Sequence, residues 1–339
     1  MDGKTRKVPE FQADGRVQVP GFELPLSGLI SEQAAAFQRM RASMPMFDPS
    51  ATGDDVTTRR EQINAYAQQG IARHRAMFDV NVEPCVIGGV EVLDVTPADR
   101  GHDPERVLIN LHGGAFCVGW DGVAQLEAIP IAALANMRVV SINYRMAPEH
   151  RHPAAVQDVA SVYAALLNDY APGRIGIFGG SAGGVLTAQA AAWFPAHGLP
   201  QVGAVGIFGA GGAPMTAGES AYTAAYIDGS FAAPDVSGGS EDELTMGYFA
   251  DVDATDASAW PAYHLDVLAT FPPTLIITGT RAIDLSPAIF THAQLLKAGM
   301  DSTLLVGESQ GHCYHYQVTV PEGRDACDLI VRFFRKNLV

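Results

Sequence analysis

The 339-residue chain carries 37 acidic and 22 basic residues, a formal charge of −15 with neutral histidines. Nucleic-acid binding is disfavoured: phosphate backbones are held by clustered Lys and Arg, and no run of four or more basic residues occurs. With 47% hydrophobic and only 17% charged residues, the chain can bury a large core and falls outside the disordered class.

The opening stretch Met1–Glu10 is polar and lacks the apolar run of about 7–15 residues of a secretory leader. Nor is there an apolar run of about 18 residues that would span a membrane, so no membrane association is expected. Cys85, Cys117, Cys313 and Cys327 are too scattered for a zinc ribbon or a CxxC redox pair, and reduced thiols in a cytoplasm are the expectation.

In chain order, residues 31–47 and 57–78 have helical composition, separated by the turn cluster Pro49-Ser-Ala-Thr-Gly-Asp-Asp55. After Phe78 the texture changes to short β-rich runs, 90–95 and 106–111. From there strands 137–143, 174–179, 203–209, 273–278 and 302–306 alternate with helices 153–170, 182–194, 286–299 and 324–337. Such alternation predicts an α/β fold with a mostly parallel sheet covered on both faces. Residues 210–258, rich in Gly, Ala, Ser and acids, break the rhythm and read as an insertion outside the sheet.

Gly179-Gly180-Ser181-Ala182-Gly183 fits G-x-S-x-G, and so does Gly307-Glu308-Ser309-Gln310-Gly311. The chemistry needs a strand, a tight turn with small neighbours around the serine, and a helix whose N-terminus faces the reaction. Ser181 meets all three, between the apolar RIGIFG and the small-residue start of a helix. Ser309 has no helix start behind it and too little chain for a following acid and base. Upstream, Leu111-His112-Gly113-Gly114-Ala115-Phe116 follows an apolar strand. Glycines there permit backbone N–H groups to converge on one point, and Gly113, Gly114 and the Ala182 N–H are the expected oxyanion donors.

HGGAF at 112–116, Asn143-Tyr-Arg-Met-Ala-Pro-Glu-His150 with Pro153-Ala-Ala155 and Asp158, and GGSAGG at 179–184 together resemble the hormone-sensitive-lipase-like family of α/β-hydrolases. The agreement spans roughly residues 85–337. The resemblance implies an α/β-hydrolase domain over 79–339 and a helical cap built from residues 1–78 and the 210–258 insertion. It also implies a serine hydrolase of the carboxylesterase type acting on short- to medium-chain esters, with no metal or other cofactor. Arg145, Glu149 and Asp158 read as supports of the loop that carries them.

A serine hydroxyl is a weak nucleophile, so an imidazole must take its proton and a carboxylate must orient the imidazole. In this fold the acid precedes the histidine. His312, in Glu308-Ser-Gln-Gly-His312 after the last core strand, is the expected base, with His315 as the alternative. A metal held by His312 and His315 would lack a third ligand. For the acid, Thr280-Arg281-Ala282 departs from the threonine-arginine-aspartate of many relatives, and the nearest carboxylate is Asp284. Asp284 is the expected acid, Asp266 and Asp256 the weaker candidates, and a charge at a helix N-terminus is Asp284's plainer reading.

Phe116, Trp120, Met44 and Phe47 are candidates to line the substrate pocket. The expected partner is a small-molecule ester, and the sequence leaves the oligomeric state open, a homodimer included. Lactone or amide hydrolysis would use the same residues. The scaffold also serves as the plant gibberellin receptor, a binding protein whose histidine is replaced; the presence of both Ser181 and His312 favours an enzyme. Relatives that cleave haloalkanes or epoxides carry Asp where Ser181 stands.

Overall fold

The computed structural model describes residues 8–41, 55–98, 101–229 and 241–339. A short hairpin, β1 (Glu10–Phe11) and β2 (Val17–Gln18), precedes the helices α1 (Glu32–Arg41) and α2 (Val56–Met77). Then come β3 (Val80–Ile87), β4 (Val90–Pro97), β5 (Asp103–Leu111), α3 (Val123–Ala135), β6 (Met137–Ile142), α4 (Ala154–Leu166), β7 (Ile175–Gly180), α5 (Ala182–Ala196) and β8 (Ala204–Phe208). After the short helices α6 (Ala224–Asp228), α7 (Glu241–Leu244) and α8 (Leu265–Leu268), the chain closes with β9 (Thr274–Gly279), α9 (Leu285–Lys297), β10 (Ser302–Gly307) and α10 (Pro321–Asn337).

The expected strands and helices are present within a few residues where they are described; the second part of the expected helix 31–47, from residue 42 on, lies outside the described residues. Strand β3 was not anticipated: its alternation of half-buried and exposed residues suits an edge strand with one face on the protein, a weak signal in sequence. The eight-stranded sheet has the order β10-β9-β8-β7-β5-β6-β4-β3. Strands β3 and β4 are antiparallel to their neighbours and the remaining pairs are parallel.

Strand alternation explains the layers. Val107, Ile109 and Leu111 of β5 join one core with residues of α4 and α5, while Leu108 joins a second core with residues of α2, α3 and α10. Burying each such side chain contributes roughly 1.5–3 kcal/mol. In α10 the buried residues Gly323, Ala326, Cys327, Ile330, Val331 and Phe334 recur at helical spacing on one face. In α5 nearly every residue is buried, as its small side chains require of a helix wedged against the sheet.

The order reverses between β5 and β7, which are neighbours although β6 follows β5 in the chain. At such a switch point the loops after adjacent strands diverge and leave a crevice at the carboxyl ends. The 112–116 segment and Ser181 lie there, as the first residues after β5 and β7.

Candidate active site

Ser181 occupies the N-cap of α5 with φ 56° and ψ −124°. A non-glycine residue at such a φ is strained and must be held by its surroundings. Here the Ser181 N–H donates to Phe208 O at 2.8 Å. Any Cβ on Gly183 would run into the Leu111 carbonyl, so glycine alone lets the start of α5 close on the end of β5.

The Ser181 hydroxyl lies 2.9 Å from His312 Nε2, and His312 Nδ1 lies 2.6 Å from Asp284 Oδ1. The network assigns the tautomer: Nδ1–H donates to the carboxylate and Nε2 accepts from the serine. Asp284 is fully buried, and its Oδ2 accepts from Thr278 Oγ1 at 2.6 Å. It stands at the N-cap of α9, yet its side chain makes no capping bond; both oxygens turn to His312 and Thr278 instead. Ala282 is buried, Asp256 is taken by Ser258, and Asp266 is exposed in the first turn of α8. Burial alone would lower the His312 pKa, but the buried Asp284 carboxylate against Nδ1 outweighs it and holds it above the ordinary value.

The other candidate groups sit elsewhere. Ser309 binds Gln38 through its hydroxyl and Thr280 through its N–H. His315 is buried against Phe208 and Tyr316, and burial with the nearby His312 lowers its pKa to about 3. Among the described residues no group of three or more His, Cys, Asp or Glu is placed to hold a metal.

The loop after β5 turns sharply, with positive φ at Gly114, Ala115 and Phe116. The carbonyl of Gly114 accepts from the N–H groups of Cys117 and Val118. Beneath the loop, His112 stacks on Tyr144, and its Nδ1 donates to Gly113 O at 2.8 Å. Burial lowers the His112 pKa to about 4, so the ring is a neutral prop. At Gly113 a side-chain carbon would stand 3.0 Å from Gly180 O and 3.2 Å from the Ser181 Cβ, so glycine permits the close approach of the two loops there. Among the described residues no acceptor takes the Gly114 and Ala115 N–H groups, and the Ala182 N–H opens α5, where no intrahelical acceptor exists.

Glu127 was missed in the sequence, although a single carboxylate within the apolar helix VAQLEAIPIAALA is a signal of a buried polar partner. It is buried beneath both loops. Its oxygens accept from Asn110 Nδ2 at 2.7 Å, from the Gly180 N–H at 3.2 Å and from the Tyr316 hydroxyl. One carboxylate thus ties the residue before Ser181 to Asn110 of β5 and to Tyr316. Burial outweighs these donors and raises its pKa to about 7. The unfolded chain releases this proton near pH 4.5 and the folded chain only near 7, so this group costs stability as pH rises through that window, roughly 3 kcal/mol in all. Denaturant unfolding at pH 5 and pH 8 is expected to show Glu127→Gln lacking that decline; parallel pH dependences of variant and wild type would contradict the assignment.

A cavity of about 430 Å³ opens over Ser181 and His312. Its walls include Gln38 of α1, Ile63 and Tyr66 of α2, Met215 and Ile227 of the 210–258 segment, and Phe116. The Phe116 ring also stacks on Tyr248, with centroids 4.4 Å apart. Trp120 does not line this cavity; its ring stands behind the loop against His112. Met44 and Phe47 lie outside the described residues. The expected loop supports are each paired: Arg145 binds Asp158 at 2.9 Å, and Glu149 binds Arg60 of α2 at 2.8 Å.

A protein-family model described as alpha/beta hydrolase fold matches residues 108–316, and the chain belongs to that family. An acetyl-hydrolase of Streptomyces hygroscopicus is 29% identical over 232 residues, 68% of this chain and 75% of the relative. Several other curated relatives are matched over less than half of their own length. The crystal structure of an esterase called E25 superposes with a TM-score of 0.80 at 29% identity, covering 95% of this chain and 99% of that one. That of an esterase from the bacterial hormone-sensitive lipase family gives 0.73 at 25% identity, over 91% and 98%. The hormone-sensitive-lipase-like resemblance of the sequence is borne out. No helix among the described residues is long and apolar enough to cross a membrane.

Proposed function

We propose that the chain is a serine carboxylesterase in which Ser181 is the nucleophile, His312 the general base and Asp284 the acid that orients it. The observation that carries this reading is the unbroken hydrogen-bond chain from Ser181 Oγ through His312 to Asp284. The esterase relatives support the reaction class. His312 takes the serine proton as Oγ attacks the ester carbonyl, then delivers it to the leaving alcohol. A water activated by the same imidazole releases the acid from the acyl-enzyme, and Asp284 holds the imidazolium in each step.

The developing oxyanion is received by the N–H groups of Gly114, Ala115 and Ala182, with Gly113 supplying close approach to the Ser181 side chain. Each donor of this kind is worth roughly 100- to 1,000-fold in turnover. Helices α1 and α2 and the 210–258 segment form the cap over the cavity, whose 430 Å³ suits a small ester. Hydrolysis of p-nitrophenyl acetate, butyrate and octanoate tests the reading. Turnover is expected, with kcat/KM highest for the short and medium acyl groups; no turnover of any of the three by folded protein would refute it.

A further inference from the structure

The first turn of α2 places two arginines side by side with opposite fates. Arg60 is fully engaged: its Nε donates to Cys117 O at 2.9 Å, its Nη2 to Ala147 O at 3.1 Å, and the guanidinium forks onto both Glu149 oxygens at 2.8 Å. Arg59 faces the cavity that holds Ser181 and is only 4% exposed. Among the described residues its one hydrogen bond runs from Nη1 to Cys117 Sγ at 3.7 Å, and no carboxylate lies within ion-pair distance of it.

Arginine stays charged at every relevant pH, and a buried charge without a counter-ion is costly. Burial pushes the Cys117 thiol up, so the sulfur supplies no negative charge near neutrality. Nor do the other acids of the cavity serve. Asp228 pairs with Arg41 at 3.4 Å, and one oxygen of Glu241 takes the Thr216 N–H and hydroxyl. A second cation on the wall, the Arg281 guanidinium, meets the Gln38 amide oxygen at 3.4 Å and no carboxylate among the described residues. In a chain of net charge −15, the cavity presents two guanidinium groups with no acidic partner among the described residues.

We infer that the missing counter-ion arrives with the substrate: the pocket takes esters that carry a carboxylate, which the Arg59 guanidinium binds. The inference rests on the esterase reading and narrows it to anionic esters. The distance suits a short substrate, because Arg59 touches Cys117 Sγ and that sulfur in turn donates to Gly114 O at 3.6 Å. Two contacts thus separate the guanidinium from the loop that receives the oxyanion. The Arg59 fork matches a carboxylate in two parallel bonds, while Arg281 adds positive potential on the same wall.

The test compares kcat/KM for p-nitrophenyl butyrate with mono-p-nitrophenyl glutarate, which places the carboxylate on the acyl side, and with 4-carboxyphenyl butyrate, which places it on the alcohol side. Wild type is expected to favour one of the anionic esters. Arg59→Gln is expected to lower the anionic-to-neutral ratio by roughly 10- to 100-fold, the range for a charge-assisted bond, and Arg59→Lys to recover part of it. Titration calorimetry on Ser181→Ala protein with the same three esters gives a readout that needs no turnover. There the anionic ester is expected to bind at least about tenfold tighter than the neutral one, with the preference shrinking at high salt.

Hydrolysis of the neutral ester with no preference for either anionic one, or an equal ratio in Arg59→Gln, would overturn the inference and leave the esterase reading standing. Absence of all turnover with Arg59-dependent binding of the carboxylate probe would refute the esterase reading and keep the anion site. Absence of both would refute the two together.

Discussion

Ser181→Ala is expected to abolish measurable esterase activity, lowering kcat by roughly 10⁵- to 10⁶-fold against p-nitrophenyl butyrate. In the proposed mechanism the hydroxyl forms the bond to the acyl carbon. Without it His312 has no proton to take, and the N–H groups of Gly114, Ala115 and Ala182 have no covalent adduct to hold. Folding is expected to be little affected, because the Ser181 side chain makes no capping bond to α5 and alanine fits the same space. Stopped assays with equal amounts of wild type and variant, alongside thermal unfolding of both, check this. Retention of more than about 1% of activity would move the nucleophile elsewhere, with Ser309 the first alternative because it stands in the second G-x-S-x-G segment.

Asp284→Asn carries the second-largest expected effect, a fall in kcat of roughly 10³- to 10⁴-fold. An amide in place of the carboxylate can present its NH₂ to Nδ1, favouring the tautomer whose Nε2 carries a proton and cannot accept one from serine. It also removes the negative charge that stabilises the imidazolium. The pH profile separates these effects from simple damage. Activity requires neutral His312, so wild-type kcat/KM is expected to rise with pH through an apparent pKa above the ordinary histidine value, the direction set by Asp284 against burial. Residual activity of Asp284→Asn is expected to rise at lower pH, because the imidazolium has lost its carboxylate. An unshifted rising limb with near-normal kcat would show that the carboxylate does not act on His312.

The departure at Ala282 shows how far local sequence reaches. Chain order and spacing were enough to single out Asp284, since the acid must follow a late strand and precede His312. What no spacing discloses is that the first turn after β9 leaves Ala282 buried and brings the residue two positions on against the imidazole. Ser181 was legible because its requirements are local: an apolar strand, small neighbours and a helix start within a few residues. The expected donors Gly113, Gly114 and Ala182 lie in the loop and helix start beside Ser181, and the proposed set replaces Gly113 with Ala115. Which amides are left without an acceptor depends on the left-handed turn through Gly114–Phe116, which no spacing discloses.

Glu127 and Arg59 were unread for a related reason. Each lies on a helix, where a charged residue ordinarily faces solvent, and only the packing of α3 under both loops and of α2 over the cavity buries them. Trp120 illustrates the reverse error: an aromatic four residues beyond Phe116 suggests a pocket wall, yet the turn sends it behind the loop onto His112. The layer pattern, by contrast, followed from strand and helix periodicities that survive any detail of packing.

The central claim is that Ser181 is acylated during turnover. Intact-protein and peptide mass spectrometry after rapid acid quench of a reaction with p-nitrophenyl butyrate tests it most directly. A butyryl mass increment is expected on the peptide containing Ser181 when wild type is quenched during turnover, before deacylation is complete, and no increment is expected on that peptide in Ser181→Ala. An increment on another residue that persists in Ser181→Ala, together with continued turnover, would contradict the account.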